Sequence, residues 1–264
     1  MHNRAGIAPG LGALIQQETQ EMARRGRLSA RPRTVNGLGP SGLLALGSAA
    51  ERDSYLYVPA TYRAVQPAPV MLLLHGSGGH AHHGVDVFQP LADEFGLIIA
   101  APASADYSWD GVPGRHATDI ATLERALEHV FASYAVDPAR IAIAGFSDGG
   151  SRALALGLAN GDLFSHVVAF SPGGIAITEE HGQPRVFIAH GTRDEIQPIF
   201  ACSRRVVAQL EGMGYDPEYV EFEAGHRIPE DIARRAIQWF TEDSESAPEA
   251  LSSPASESRS SPEG

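Results

Sequence analysis

The stretch Gly145-Phe146-Ser147-Asp148-Gly149 puts a serine between two glycines, where the apolar run "RIAIAG" meets the helix-forming run "SRALALGLAN". A G-x-S-x-G turn between a strand and a helix holds the serine hydroxyl outward on a tight bend. The flanking glycines remove side chains that would collide there. A serine hydroxyl becomes a nucleophile only when a base takes its proton, and that base is usually an imidazole oriented by a carboxylate. Two later loops supply candidates. "RVFIAHGTRDEIQPI" puts Asp194 just beyond a strand, and "YVEFEAGHRIPEDI" puts His226 between the last strand and the last helix. The chain order serine, acid, histidine suits a site at the carboxyl ends of strands in an open α/β sheet. The chemistry of such a set is acyl transfer: Ser147 attacks a carbonyl, His226 carries the proton and Asp194 fixes the imidazole.

That reaction needs donors for the developing oxyanion. A helix beginning at Ser147 offers the Asp148 amide at its positive end. "LLLHGSGGH" opens a buried strand into glycines, and the amide of Ser77, with Gly78 next, is the expected second donor.

Other residues compete for roles. Glu195 adjoins Asp194, but the shorter carboxylate directly after the turn is favoured as the acid. Asp162 lies in "NGDLF", which reads as a helix-ending loop, and Asp148 is too close to Ser147 to orient a distant imidazole. Tyr107 and Trp109, in the Gly- and Pro-punctuated "ADYSWDGVPG", are the expected lining of a substrate pocket; the alternative is a loop packed on the body. His75, His80, His82 and His83 form a histidine-rich tract, yet no Cys or acidic partner lies at ligand spacing, so no metal or other cofactor is expected. Cys202 falls in a helical pattern away from the nucleophile turn and is expected to be inert.

The elements that must position these residues are readable from periodicity. "GLLAL" and "SYLYVP" read as early strands. "VMLLLH", "GLIIAAP", "RIAIAG", "HVVAFSP" and "RVFIAHG" are the apolar runs expected of buried strands. "TDIATLERALEHVFASYAV" has helical spacing, with Thr118 or Asp119 as N-cap. "FACSRRVVAQLEGMG" reads as a helix closed by Gly214, "EYVEFE" as a strand and "PEDIARRAIQWF" as a helix opened by Pro229. Repeated alternation predicts a mostly parallel sheet covered on both faces. The segment "SPGGIAITEEHGQP" is too short for a lid, which predicts an open site.

The ends look different. Residues 1–40 read as a peripheral segment, with "RLSARPRTVNGLGPSG" as a linker. Residues 41–241 form the expected catalytic domain. From Glu242 onward six acids stand against one arginine, in a Ser- and Pro-rich stretch expected to be a disordered acidic tail. The whole chain of 264 residues carries a formal charge of -12, which argues against nucleic acid and anionic membranes. All 20 basic residues are arginine, so no lysine amine is available for a Schiff base or a P-loop. One cysteine cannot form an intrachain disulfide. No run is long enough to span a bilayer and no secretion signal is apparent, so the cytoplasm is the expected location.

Taken in order, "LLLHGSGG", "YAVDPARIAIAGFSDGG", "HGTRDEIQPI" and "GHRIPEDIARRAIQWF" resemble the α/β-hydrolases. The likeness is greatest to the compact bacterial phospholipase/carboxylesterase-like esterases, relatives of polyhydroxybutyrate-depolymerase-like and feruloyl-esterase-like proteins. It spans about Gly42 to Phe240. The resemblance implies the α/β-hydrolase fold without a lid domain. It carries nucleophile, acid and base onto Ser147, Asp194 and His226, and the oxyanion loop onto Gly76 to Gly79. The implied activity is hydrolysis of small soluble carboxylic esters through an acyl-enzyme. The same machinery serves thioester, peptide or polyester hydrolysis. A non-catalytic binding protein could reuse the fold, but such proteins usually lose a triad member, and none is missing here.

Overall fold

The computed structural model describes residues 26–35, 39–49, 52–109, 116–177 and 179–242. The strands are β1 (Gly42–Ala49), β2 (Arg52–Val58), β3 (Ala68–Leu74), β4 (Ile98–Ala101), β5 (Val136–Phe146), β6 (His166–Phe170), β7 (Arg185–Gly191) and β8 (Glu218–Phe222). The helices among the described residues are α1 (Ala81–Phe95), α2 (His116–Ser133), α3 (Asp148–Ala159), α4 (Ser203–Gly212) and α5 (Glu230–Thr241). The strands form one sheet in the order β1-β2-β4-β3-β5-β6-β7-β8. β1 and β2 are antiparallel to their neighbours, and every pair from β4 to β8 is parallel.

Every residue of β3, β4 and β6 is buried, because helices cover both faces of the sheet. Side chains alternate between two cores. Leu72, Leu74 and Ile143 pack with Leu127, Leu154 and Leu210, under α2, α3 and α4. Met71, Leu73 and Ala144 pack with Phe88, Ile237 and Phe240, under α1 and α5.

Helix α1 has no counterpart in the sequence reading, which treated its start only as a histidine tract. Its buried residues Ala81, Val85, Phe88, Leu91 and Ala92 do fall on one helical face, but Gly84 and Pro90 interrupt the pattern. Helix α2 begins at His116, before both expected caps. Asp119 instead lies in its first turn, buried, and accepts the Ala105 N–H at 2.8 Å.

The stretch expected as a linker is anchored at its start. Leu28 is fully buried, and Asn160 at the end of α3 holds it. Asn160 Oδ1 accepts the Leu28 N–H at 2.8 Å, while its Nδ2 donates to the Gly26 and Leu156 carbonyls. Arg27 and Arg31 both pair with Asp162, whose carboxyl Arg27 above all holds down at about 2. Asp162 therefore has a structural role at the opposite end of α3 from Ser147. Residues before 26 and the tail after 242 lie outside the described residues. Between β6 and β7 the described residues form no helix, and Ile175 and Ile177 pack half-buried on the core. No described helix is long and apolar enough to cross a membrane.

Candidate active site

The sharpest feature of the backbone is Ser147. It sits between β5 and α3 with φ 56° and ψ -118°, a conformation that costs a non-glycine residue about 1–3 kcal/mol. Its N–H donates to the Phe170 carbonyl at 2.8 Å, which ties the bend to β6. The flanking glycines are steric requirements. A Cβ on Gly145 would stand 2.1 Å from the Gly149 carbonyl oxygen, and one on Gly149 would stand 2.4 Å from that of Leu74.

Asp194 and His226 meet at the ends of β7 and β8. Backbone bonds from Thr192 N–H to the Phe222 carbonyl and from Arg193 N–H to that of Ala224 fix the two loops together. His226 Nδ1 lies 2.6 Å from Asp194 Oδ2. An ionised carboxylate only accepts, so Nδ1 carries the proton and Nε2 keeps a lone pair for a base. Asp194 Oδ1 accepts the N–H groups of Ile196 and Gln197 at 2.9 and 2.8 Å. Burial alone would raise this carboxyl, but the Gln197 amide and the two neighbouring imidazoles outweigh it and hold it below its ordinary value. The side chain of Asp194 is fully buried, while that of His226 is 15% exposed, so the imidazole reaches solvent.

The His226 ring packs on Phe146 with centroids 4.6 Å apart, which sets it beside the residue preceding Ser147. No hydrogen bond joins Ser147 Oγ to His226. Such bonds are commonly long without substrate and tighten in the reacting complex.

The glycine loop after β3 lies against Ser147: a Cβ on Gly76 would be 3.3 Å from Ser147 Cβ. The Ser77 amide has no partner among the described residues, as a donor requires. Gly78, the alternative, is corrected: its N–H donates to the Tyr107 carbonyl at 2.7 Å and is already used. Asp148 opens α3, so its amide lies at the helix's positive end.

Trp109 is also corrected. It is 1% exposed and packs in the body, so it does not line a pocket. Its Nε1–H donates to the His75 carbonyl at 2.7 Å, and its backbone N–H to Asp148 Oδ2 at 3.0 Å. Tyr107 is 67% exposed and lies against Gly78, on the rim beside the oxyanion loop. Cys202 is buried; burial pushes its thiol up, and it faces Gln197 Oε1 at 3.4 Å. The rings of His80, His82 and His83 cluster at the start of α1. Among the described residues no group of three His, Cys, Asp or Glu side chains could hold a metal ion.

His75, read in the sequence as a structural residue at a strand end, supports the glycine loop, and two further contributors, His190 and Ser151, escaped the sequence reading. His75 Nε2 accepts the Ser104 N–H at 3.1 Å, so its proton is on Nδ1, which bonds the Gly76 carbonyl at 2.8 Å. His190 is fully buried beside Asp194. Ser151 Oγ receives the N–H groups of Gly173 and Gly174, pinning the segment after β6 to α3. His75 and His190 are polar residues closing apolar runs, which was the available signal; Ser151 gave none.

A family described as "Putative esterase" matches residues 48–179, half of the chain. No curated protein matches it. Among solved structures, the chain is similar to the S-formylglutathione hydrolase FrmB of Staphylococcus aureus, at 14% identity and TM-score 0.63, covering 77% of this chain and all of that one. It is similar to a ferulic acid esterase of Anaeromyces mucronatus in complex with ferulic acid, at 19% identity and TM-score 0.58, covering 80% and 97%. Esterase PE8 aligns at 22% identity and TM-score 0.57, covering 71% and 96%. At these identities the structural likeness speaks to the fold.

Proposed function

The chain belongs to the esterase family of α/β-hydrolases and is a carboxylic ester hydrolase, and we propose that Ser147, His226 and Asp194 are its catalytic triad. The observation that carries the reading is the 2.6 Å bond between Asp194 Oδ2 and His226 Nδ1. It fixes the tautomer that leaves Nε2 as base, and the same imidazole packs on Phe146, the neighbour of a serine held at a strained strand-to-helix turn.

Ser147 Oγ attacks the ester carbonyl carbon as His226 Nε2 takes its proton. The carbonyl oxygen becomes an oxyanion that accepts from the Ser77 and Asp148 amides; one such donor contributes about 3–4 kcal/mol to the transition state. His226 then gives the proton to the leaving alkoxide, and the alcohol departs from an acyl-Ser147. Water, deprotonated by the same imidazole, releases the acid and restores the hydroxyl. Asp194 stays ionised throughout and stabilises the imidazolium. The short segment between β6 and β7 and the exposed Tyr107 on the rim support small, soluble esters as substrates. The unpaired Cys202 fits a reducing compartment, the cytoplasm.

The test is hydrolysis of p-nitrophenyl esters of graded acyl length, alongside fluorophosphonate labelling. The wild type should label and favour short acyl chains. Ser147→Ala should not label and should lose on the order of 10⁶-fold in kcat. Near-normal turnover in that variant refutes the assignment.

A further inference from the structure

The two oxyanion donors come from segments far apart in the chain. Ser77 follows β3 and Asp148 opens α3. Stabilisation by such donors depends on their sitting about 2.7–3.1 Å from one point in space. Something must therefore fix the distance between the two segments, and one residue bonds to both. Trp109 donates Nε1–H to the carbonyl of His75, two residues before Ser77, and donates its backbone N–H to the side chain of Asp148. Its ring also packs against the His75 imidazole, centroids 4.9 Å apart. Indole suits this position because it is a large rigid plate with a hydrogen donor on its far edge.

The surrounding bonds make the strut stiff. The Gly78 N–H is held by the Tyr107 carbonyl, and the His75 ring bridges the Ser104 amide to the Gly76 carbonyl. Loop 102–109 is thereby laced to the β3 loop on both sides of Ser77. Asp119 holds the root of the same loop through the Ala105 amide. Complete burial of Trp109 keeps water from competing for these bonds.

We infer that Trp109 is the positioning residue of the oxyanion hole: it sets the spacing between the Ser77 and Asp148 amides by bonding to the His75 carbonyl and to the Asp148 carboxylate. It acts through those groups and does not touch substrate. The inference rests on the assignment of Ser147 as nucleophile. It also gives a role to the side chain after the serine in G-F-S-D-G, whose amide and carboxylate then serve one purpose.

The test compares ground-state and tetrahedral-state binding in the full chain. Trp109→Phe keeps a ring and the backbone bond to Asp148 but deletes the Nε1 donor. Its kcat for a short p-nitrophenyl ester should fall about tenfold with KM within about twofold, because donor geometry matters most in the transition state. An alkylboronic acid, which forms a tetrahedral adduct on the serine, should bind about tenfold more weakly, while inhibition by the product carboxylate should be unchanged. A rise in KM with unchanged kcat would make Trp109 a pocket wall and overturn the inference, as would equal weakening of boronate and carboxylate. If Trp109→Phe does not fold, Asp148 supplies the second arm, since its amide survives substitution. Asp148→Ala should lose at least fivefold more kcat than Asp148→Asn, which retains an acceptor for the Trp109 N–H; equal losses would overturn the strut. Fluorophosphonate labelling separates the two levels. Labelling that persists in Ser147→Ala sinks the nucleophile assignment and the inference with it. Labelling that depends on Ser147, with Trp109→Phe kinetically normal, sinks the inference alone.

Discussion

Nε2 of the buried His190 stands 3.3 Å from Asp194 Oδ2, the same oxygen that receives His226. The pairing is not an ion pair, since burial holds the His190 imidazole neutral by lowering its basicity. The Gln197 carbonyl, 2.7 Å from Nε2, can only accept, so Nε2 carries the proton and Nδ1 accepts from Ser203 at 2.5 Å. His190 thus braces the turn 194–197 that presents the proposed triad carboxylate, Asp194. His190→Phe strands the Ser203 hydroxyl and the Gln197 carbonyl, at about 1–3 kcal/mol for each unsatisfied group. Thermal unfolding should register the loss as a lowered Tm.

The acid itself admits a more specific test. Asp194→Asn cannot hold His226 in the tautomer that leaves Nε2 free. By the behaviour of serine triads generally, kcat should drop about 10⁴-fold with the fold intact. Steady-state kinetics with a circular-dichroism check would decide it, and a loss under tenfold would remove Asp194 from the triad.

His166 gives the protein a stability that depends on pH. Burial, and secondarily the Arg185 charge, lowers its imidazole from 6.5 to about 4. The unfolded chain therefore takes up a proton near 6.5 that the folded chain refuses until about 4. Stability is complete above 6.5 and declines as pH falls toward 4, by about 3 kcal/mol from this residue alone. His166 packs edge-on against Trp239 and Phe240, so phenylalanine fits the site. In urea titrations across this range, His166→Phe should show a shallower acid decline than the wild type.

Asn160 ties the N-terminal segment to α3 through two side-chain bonds, to Gly26 and Leu28, and braces itself on α3 by a third to the Leu156 carbonyl. Asn160→Ala should destabilise the protein by about 2–4 kcal/mol, since buried partners on both sides lose their bonds. Hydrogen exchange should show the Leu28 amide unprotected in the variant. Unchanged protection there would mean that Leu28 is held by its apolar contacts alone.

What the sequence made legible follows from which forces are local. A strand buried on both faces must be a continuous apolar run, so β3, β4, β6, β7 and the buried second half of β5 could be read directly, whereas the half-exposed start of β5 at Val136 reads as the end of the preceding helix. The bend at Ser147 needs Gly145 and Gly149 within two residues, and Asp194 and His226 each sit one turn beyond a readable strand. The rest was set by partners far along the chain. Whether Trp109 lines a cleft or lies in the core depends on a carbonyl 34 residues away. Whether the Gly78 amide is open to a ligand depends on Tyr107, which the local glycine pattern does not encode. Helix α1 was hidden for a different reason: Pro90 and Gly84 weaken its propensity, and only burial against Phe170 and its neighbours on the sheet overrides that.

The segment between β6 and β7 contributes no group to the proposed proton transfers, and its supports lie away from them: Ser151 and Gln197 hold Gly173 and Gly174 at its start, Ile175 and Ile177 pack on the core, and the His181 N–H bonds the Leu158 carbonyl near its end. It is thus the natural graft point of the scaffold. A longer insert there could roof the cleft and retune acyl preference while the nucleophile, acid and base kept their supports on β5, β7 and β8.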